Sequence, residues 1–155
     1  MSQKMTPLAV LLNCMKQKVV LLTKILNITK MMEVQSQQKE VDLGGLPDER
    51  QTYIDRLKKC EGIIKKACLS VPEEKQAEVK GVLAGKFPDE SCSTPEEKEL
   101  LHYGIKCSSL LSMTLPLDRE CRKNLQKECD RLRSLIHTSS AGSNIGTSHH
   151  KTKMF

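Results

Sequence analysis

One long run of regularly spaced apolar residues, from Thr6 to about Lys39, constrains the fold of this chain most strongly. Five of its positions fall seven residues apart, and the apolar residues between them share the same face of a helix. This stripe consists of Leu8, Met15, Leu22, Thr29 and Ser36, with Leu11, Leu12, Val19, Ile25, Leu26 and Met32 beside them. Such a helix would be roughly 50 Å long, which is more than the core of a small domain requires. We therefore expect other helices to lie along it.

A glycine-containing turn follows this helix and should reverse the direction of the chain. We expect the first helix to end near Val41, because Gly44 and Gly45 can adopt the left-handed conformation that closes helices. Pro47 should then open a second helix that packs antiparallel on the first. The residues predicted to face the first helix are Tyr53, Ile54, Leu57, Ile64, Ala67 and Cys68. The pattern therefore predicts a helical hairpin.

Two further helix starts are indicated by the capping-box pattern, in which a Ser or Thr is followed three residues later by Glu. Ser70 with Glu73 predicts a short third helix from about Pro72 to Leu83. Thr94 with Glu97 predicts the start of a fourth helix, with proline at its first position.

The fourth helix should carry a coiled-coil-like seam, in which steps of four and three residues alternate. The predicted seam consists of Leu111, Leu115, Asp118, Arg122, Leu125, Cys129, Leu132 and Ile136, with Asp118 and Arg122 spaced to form an ion pair. Because Pro116 removes a helical hydrogen bond, either one kinked helix continues or Thr114 caps a new helix. We favour one kinked helix, because the seam keeps its phase across the proline.

No apolar period continues after His137. We therefore expect a helical domain of residues 1–137 and a disordered tail of residues 138–155. The predicted fold class is all-α, an antiparallel helical hairpin or bundle with long, coiled-coil-like N-terminal and C-terminal helices.

Composition argues against several classes of function. Aromatic residues make up 3% of the chain and Trp is absent, which disfavours an aromatic-walled cofactor pocket. The excess of 25 Lys and Arg over 19 Asp and Glu would attract anionic partners only weakly. The sequence contains no stretch of 18 apolar residues, so it predicts no membrane span. The odd number of seven irregularly spaced Cys, without a recognisable secretion signal, favours a reducing cytoplasm.

The candidate metal and catalytic residues do not form a recognisable site. Cys60 and Cys68 are eight residues apart, as are Cys121 and Cys129, which places each pair roughly 12 Å apart along a helix. This separation is too large for one metal ion, and we interpret the helical cysteines as small core residues. The sequence also lacks a nucleophile elbow, an oxyanion loop and a glycine-rich phosphate loop. We therefore predict no enzyme activity, no cofactor and no metal site.

The apolar stripes remain to be explained. Amphipathic helices most often bury their stripes against one another, and the stripes are then simply core. The short third helix, however, cannot cover a first helix of roughly 50 Å. Part of the seam on the first or last helix should therefore be open, either to a second copy of the chain or to a helix of a partner protein.

A resemblance to a known family rests on the end of the first helix, the turn and the start of the second helix. The stretches that carry it are Ile25-Leu26-Asn27-Ile28-Thr29-Lys30, Gln38-Lys39-Glu40-Val41-Asp42-Leu43, Leu46, Glu49-Arg50-Gln51 and Ile54-Asp55-Arg56-Leu57, and in the last helix Leu117-Asp118-Arg119, Leu125 and Leu132. Together they resemble the FlgN and FliT group of flagellar export chaperones. The length of the chain and its tail favour the FlgN side.

This resemblance implies a cytoplasmic chaperone that binds the C-terminal amphipathic helix of a late flagellar subunit, prevents its early assembly and delivers it to the export gate. FlgN-like proteins bind the hook-filament junction proteins FlgK and FlgL, and FliT-like proteins bind the filament cap protein FliD. We expect the client on Leu125, Cys129, Leu132 and Ile136 and the export gate at Phe155. The chain departs from the family in its basic charge and in lacking a Tyr near the C-terminus.

Two alternatives come from other functional classes. A basic helical module that binds nucleic acid is favoured by the charge excess. It is disfavoured because the basic residues are spread over all helices among acidic ones, without helix-turn-helix spacing or base-stacking aromatic residues. The other alternative is a coiled-coil adaptor without a chaperone role.

Overall fold

The computed structural model describes the backbone of residues 5–140 and the side chains of residues 5–138. Within this range the chain is all-α and contains no strand, as the sequence predicts. The helices are α1 (Pro7–Ser36), α2 (Leu46–Leu69), α3 (Glu73–Leu83) and α4 (Pro95–Ser140), with one 3-10 turn at Asp89–Ser91.

The hairpin of α1 and α2 is antiparallel. Arg50 near the start of α2 donates from Nε to Thr29 Oγ1 near the end of α1, at 2.9 Å. Further along α2, the Cys60 thiol donates to the backbone carbonyl of Cys14 at 3.2 Å, close to the start of α1. The predicted hairpin is therefore confirmed.

The long helix α4 packs along α1 in the parallel direction. Near the start of both helices, Lys16 Nζ lies 3.8 Å from a carboxylate oxygen of Glu99. At the other end, the Asn124 amide donates to the hydroxyl of Ser36 at 3.1 Å. Because Ser36 is the last residue of α1, the part of α4 that follows Asn124 continues beyond the end of its partner helix.

Two clusters of buried side chains lie along α1. The larger one joins all four helices and includes Leu11, Met15, Leu22, Cys68, Val71, Val82, Leu100 and Cys107. The smaller one lies near the hairpin turn and contains Ile28, Met32, Cys121 and Leu125, with Val41, Leu43, Leu46 and Tyr53 packed around it. Leu125 is therefore the last residue of α4 that belongs to the described core.

Side chains cap the starts of α1 and α4, and the capping bond at Thr94 confirms the start predicted there. At α1, Thr6 Oγ1 accepts a hydrogen bond from the amide of Ala9 at 3.2 Å. Thr94 Oγ1 accepts from the amide of Glu97 at 3.2 Å, and the Glu97 carboxylate accepts from the amide of Ser93 at 3.1 Å. The reciprocal bond of the capping box therefore goes to Ser93 and not to Thr94 itself.

The first helix ends earlier than predicted, at Ser36 and not near Val41. The last turn tightens there, because the amide of Gln37 bonds to a carbonyl three residues earlier. Gly44 does adopt the left-handed conformation, with φ of 55°. It forms the turn into α2, however, with its amide donating to the Asp42 carboxylate at 2.9 Å, and it does not close α1.

The capping box predicted at Ser70 is wrong, although α3 has nearly the predicted bounds. Ser70 has helical backbone angles at the end of α2, and its hydroxyl donates to the carbonyl of Lys66 at 3.2 Å. It therefore ends α2 and does not cap α3, which begins at Glu73 without a side-chain cap. The side-chain amide of Gln76 instead links α3 to the end of α2, because it donates to the carbonyl of Val71 at 2.9 Å and to that of Leu69 at 3.4 Å.

The fourth helix continues through Pro116 as one helix, as favoured from the sequence. The alternative start at Thr114 is wrong, because this hydroxyl donates within the helix to the carbonyl of Leu110 at 2.7 Å. The helix runs to Ser140, three residues beyond the boundary predicted at His137. Residues 141–155, which make up most of the predicted tail, lie outside the described residues.

The predicted seam of α4 is right only in part. Asp118 and Leu125 face the bundle, but Leu115, the second residue of the predicted seam, is 55% exposed. The positions that are buried in its place are Cys107, Thr114 and Cys121, spaced seven apart. These small side chains pack against neighbouring helices, and the Thr114 hydroxyl is satisfied within its own helix. In this part of α4, a prediction based on hydrophobicity alone therefore chose the face of Leu115, whereas the adjacent face of Thr114 is the buried one.

Candidate functional site

The last three turns of α4, residues 129–140, form a segment that we call the α4 overhang. This segment adds roughly 18 Å of helix beyond the core. It starts four residues after Leu125, the last core residue of α4, and five after Asn124, which is bonded to the end of α1. In the overhang, α4 extends beyond the end of α1, the helix against which it packs.

The apolar stripe of the overhang continues the face of α4 that packs on α1. Leu132 lies seven residues after Leu125 and fourteen after Asp118, and Leu135 lies fourteen after Cys121. Leu125 is 9% exposed, whereas Leu132 and Leu135 are 46% and 54% exposed. A seven-residue repeat that is buried as far as Leu125 becomes half-exposed where α1 has ended. The overhang therefore presents the continuation of a helix-packing face.

The structure divides the four predicted client-binding residues between the core and the overhang. Leu125 belongs to the core, whereas Cys129 is exposed and Leu132 and Ile136 are about half-exposed. Leu135 was missed by the sequence reasoning, although its spacing of fourteen from Cys121 was available as a signal. Phe155, the residue predicted at the export gate, lies outside the described residues.

Arginines border the stripe of the overhang on both sides. Arg131 and Arg133 immediately precede and follow Leu132, and each helical residue is rotated by about 100° from the next. Arg131 binds both carboxylate oxygens of Glu128, at 2.6 and 3.0 Å. This pairing raises the pKa of Arg131 and lowers the pKa of Glu128. The overhang is thus an apolar stripe with the ion pair of Arg131 and Glu128 on one edge and the cationic Arg133 on the other.

A buried polar network centred on Asp118 holds α4 in register with the hairpin, about three turns before the overhang. Arg50 Nη2 lies 3.2 Å from Asp118 Oδ1, and Arg122 Nε lies 3.0 Å from Asp118 Oδ2, which confirms the predicted pair of Asp118 and Arg122. Arg50 is 6% exposed and also bonds Thr29, so one side chain joins α1, α2 and α4. Burial lowers the pKa of Arg50, and the neighbouring Asp118 opposes this shift. This role of Arg50 was not predicted from the sequence.

The five buried cysteine thiols are poorly placed for nucleophilic chemistry. Burial raises the pKa of Cys60 to about 11, and its thiol donates to the carbonyl of Cys14. Burial also raises the pKa values of Cys14, Cys68, Cys107 and Cys121. These thiols are protonated at neutral pH, and a thiolate is the nucleophilic form. Among the described residues, no three His, Cys, Asp or Glu side chains converge on a metal-sized site.

Other exposed apolar side chains lie away from the overhang. One group lies beside the hairpin turn and includes Met31 and Val34. A second lies near the start of α1 and includes Ile63 of α2. On α4, Ile105 and Leu115 are each more than half exposed. None of these positions continues a packed seam past the end of a partner helix, which distinguishes them from the overhang.

Comparisons with known proteins add no family assignment. No family model matches the chain, and neither the curated proteins nor the solved structures give a match. Within the described residues, no helix combines the length and apolarity needed to cross a bilayer.

Proposed function

We propose that this protein is a cytoplasmic export chaperone whose α4 overhang binds an amphipathic helix of a client protein. The proposal is carried by one observation, the continuation of the α1-packing stripe of α4 into Leu132 and Leu135 after α1 has ended. A client helix lying along the overhang would take the place that α1 occupies along the preceding turns. The client's apolar face would then be sheltered from other partners.

The gain from such binding is modest for each side chain. Full burial of a Leu or Ile contributes about 1.5–3 kcal/mol, so covering a half-exposed side chain contributes roughly half of that. Leu132, Leu135 and Ile136 together would supply a few kcal/mol. Binding of this strength is reversible, as delivery of a client requires, and it should respond strongly to the loss of two of these side chains.

The class of client comes from the resemblance of the hairpin and the last helix to the FlgN and FliT group. On this basis the client is the C-terminal helix of a FlgK-like or FlgL-like hook-filament junction protein, which the chaperone would keep unassembled and hand to the export gate. The filament cap protein is the second candidate within the same family.

The test measures binding of a fluorescent peptide with the sequence of a client C-terminal helix to the full chain, by fluorescence anisotropy. The double substitution Leu132→Asp with Leu135→Asp should weaken binding at least about tenfold, because an apolar helix cannot pair the new carboxylates. Helicity and the melting temperature should stay close to those of the unsubstituted protein, since both positions are half-exposed.

The matched control is Ile105→Asp with Leu115→Asp, which places the same charges at similarly exposed positions of the same helix. It should leave the affinity for the peptide unchanged. The proposal is contradicted if the overhang variant binds normally, or if the control variant loses binding to the same extent.

A further inference from the structure

The Lys and Arg residues in the C-terminal part of the sequence are not accompanied by acidic ones. After Asp130 the sequence contains Arg131, Arg133, Lys151 and Lys153, and no Asp or Glu. The two arginines lie in the overhang, one on each side of Leu132. Whatever covers this stripe must therefore bring its own edges close to guanidinium groups.

The two arginines differ in how their charge is satisfied. Arg131 is bound by the Glu128 carboxylate, whose two oxygens accept from Nε and Nη2 at 3.0 and 2.6 Å. Arg133 is exposed and makes no ion pair with any residue of the range 5–138. A guanidinium group offers a planar set of donors that matches a carboxylate. On one edge of the stripe, the guanidinium group of Arg131 already binds the carboxylate of Glu128 in this way. On the other edge, the guanidinium group of Arg133 could bind a carboxylate of a partner.

A second copy of the chain fits these edges poorly. The carboxylate that a second copy would bring to this edge is Glu128, which is already bound to Arg131 through both oxygens. It would have to share that bond to pair with Arg133 of the other copy. An anionic membrane surface would satisfy the charges. The stripe, however, continues the seven-residue spacing of the α4 residues that pack against α1, such as Leu125. This spacing favours a helix as the partner of the stripe.

Building on the proposed function, we infer that the helix bound by the overhang has acidic residues beside its apolar stripe. One of its carboxylates pairs with Arg133, while Arg131 keeps its bond to Glu128. The substrate class of the chaperone is therefore an acidic amphipathic helix, recognised by shape along Leu132 and Leu135 and by charge along the edge of Arg133.

The test uses three synthetic helical peptides with the same Leu stripe, flanked by Glu, Gln or Lys. Binding of each to the full chain is measured by fluorescence anisotropy at low salt. The Glu peptide should bind about tenfold more tightly than the Gln peptide, and the Lys peptide should bind most weakly. Arg133→Glu, which leaves the pair of Arg131 and Glu128 intact, should reduce the preference for Glu or reverse it towards Lys.

The control variant is Arg119→Glu, which reverses a charge at the equivalent heptad position two repeats earlier, outside the overhang. It should leave the ranking of the peptides unchanged. Equal binding of all three peptides that is still lost in Leu132→Asp with Leu135→Asp would overturn the charge inference and leave the proposed function standing.

Two further outcomes are informative. If none of the peptides binds, both the inference and the proposed function are overturned. Binding to phosphatidylserine vesicles that depends on Arg133 and is not displaced by the Glu peptide would identify a membrane surface as the partner, and would overturn the inference.

Discussion

Arg50 is the residue on which the arrangement of the three long helices depends most. Arg50 lies on α2, forms an ion pair with Asp118 on α4 and donates a hydrogen bond to Thr29 on α1. Among the described residues, every buried polar side-chain atom has a hydrogen-bond partner. Breaking a buried ion pair from one side leaves an uncompensated charge, whereas an exposed pair contributes little. The structure contains both cases on the same carboxylate, because Asp118 also binds the half-exposed Arg122.

Substitution of Arg50 should therefore be far more costly than substitution of Arg122. Arg50→Met should lower the free energy of unfolding by about 3–5 kcal/mol, and Arg122→Met by about 0–1 kcal/mol, as measured by urea denaturation. Adding Asp118→Leu to Arg50→Met should restore part of the loss, because it removes a carboxylate that has lost its buried partner and keeps only the half-exposed Arg122. Equal effects of the two single substitutions would contradict the role assigned to Arg50.

At the scale of elements, the contact between α3 and α4 depends on a glycine. A Cβ atom added at Gly104 would lie 2.5 Å from the carbonyl oxygen of Val82 and 2.6 Å from that of Leu83. These are backbone atoms at the end of α3, so the contact cannot be relieved by turning a side chain. α3 packs on α4 only because position 104 lacks a side chain.

Gly104→Ala should therefore destabilise the protein by about 1–3 kcal/mol, the usual range for overpacking. Gly62→Ala is the matched control, since a Cβ at this exposed position in α2 has no neighbour within 4 Å. It should stabilise by up to about 1 kcal/mol through helix propensity. Thermal melts of both variants measure the difference, and a stabilising Gly104→Ala would show that α3 is not held as described.

The helices themselves could be predicted from local chemistry, and their faces only in part. Thr6 and Thr94 cap helices because a side-chain oxygen beside an amide is a local interaction, which a sequence displays directly. The prediction at Ser70 is wrong because a serine hydroxyl can bond to a carbonyl at the end of one helix as well as to an amide at the start of the next. The sequence pattern does not say which of these two bonds forms.

The candidate site was predictable to the same degree. Of the four residues predicted to bind the client, Leu132 and Ile136 lie in the half-exposed overhang and Leu125 lies in the core. The distinction depends on where α1 ends, and that end was placed near Val41 and not at Ser36. Arg50 was missed as a joining residue because its partners are on α1 and α4, far away in sequence.

At the scale of the whole molecule, the central feature is a difference in length between two parallel helices. α1 and α4 start close together, yet α4 is 46 residues long and α1 only 30. The apolar repeat of α4 does not stop where α1 stops, and the stripe of Leu132 and Leu135 is left half-exposed. An apolar face that continues a packed seam is physically suited to another helix.

Hydrogen–deuterium exchange of the full chain, followed by mass spectrometry with and without the client-helix peptide, tests this claim most directly. Bound peptide should slow exchange of the backbone amides in residues 129–140, because covering the stripe opposes local opening of a helix end that extends beyond α1. Exchange in α2 and in the segment around Ile105 and Leu115 should be unchanged. Protection confined to the hairpin turn or to the Ile105 and Leu115 patch, with the overhang unaffected at saturating peptide, would contradict the account.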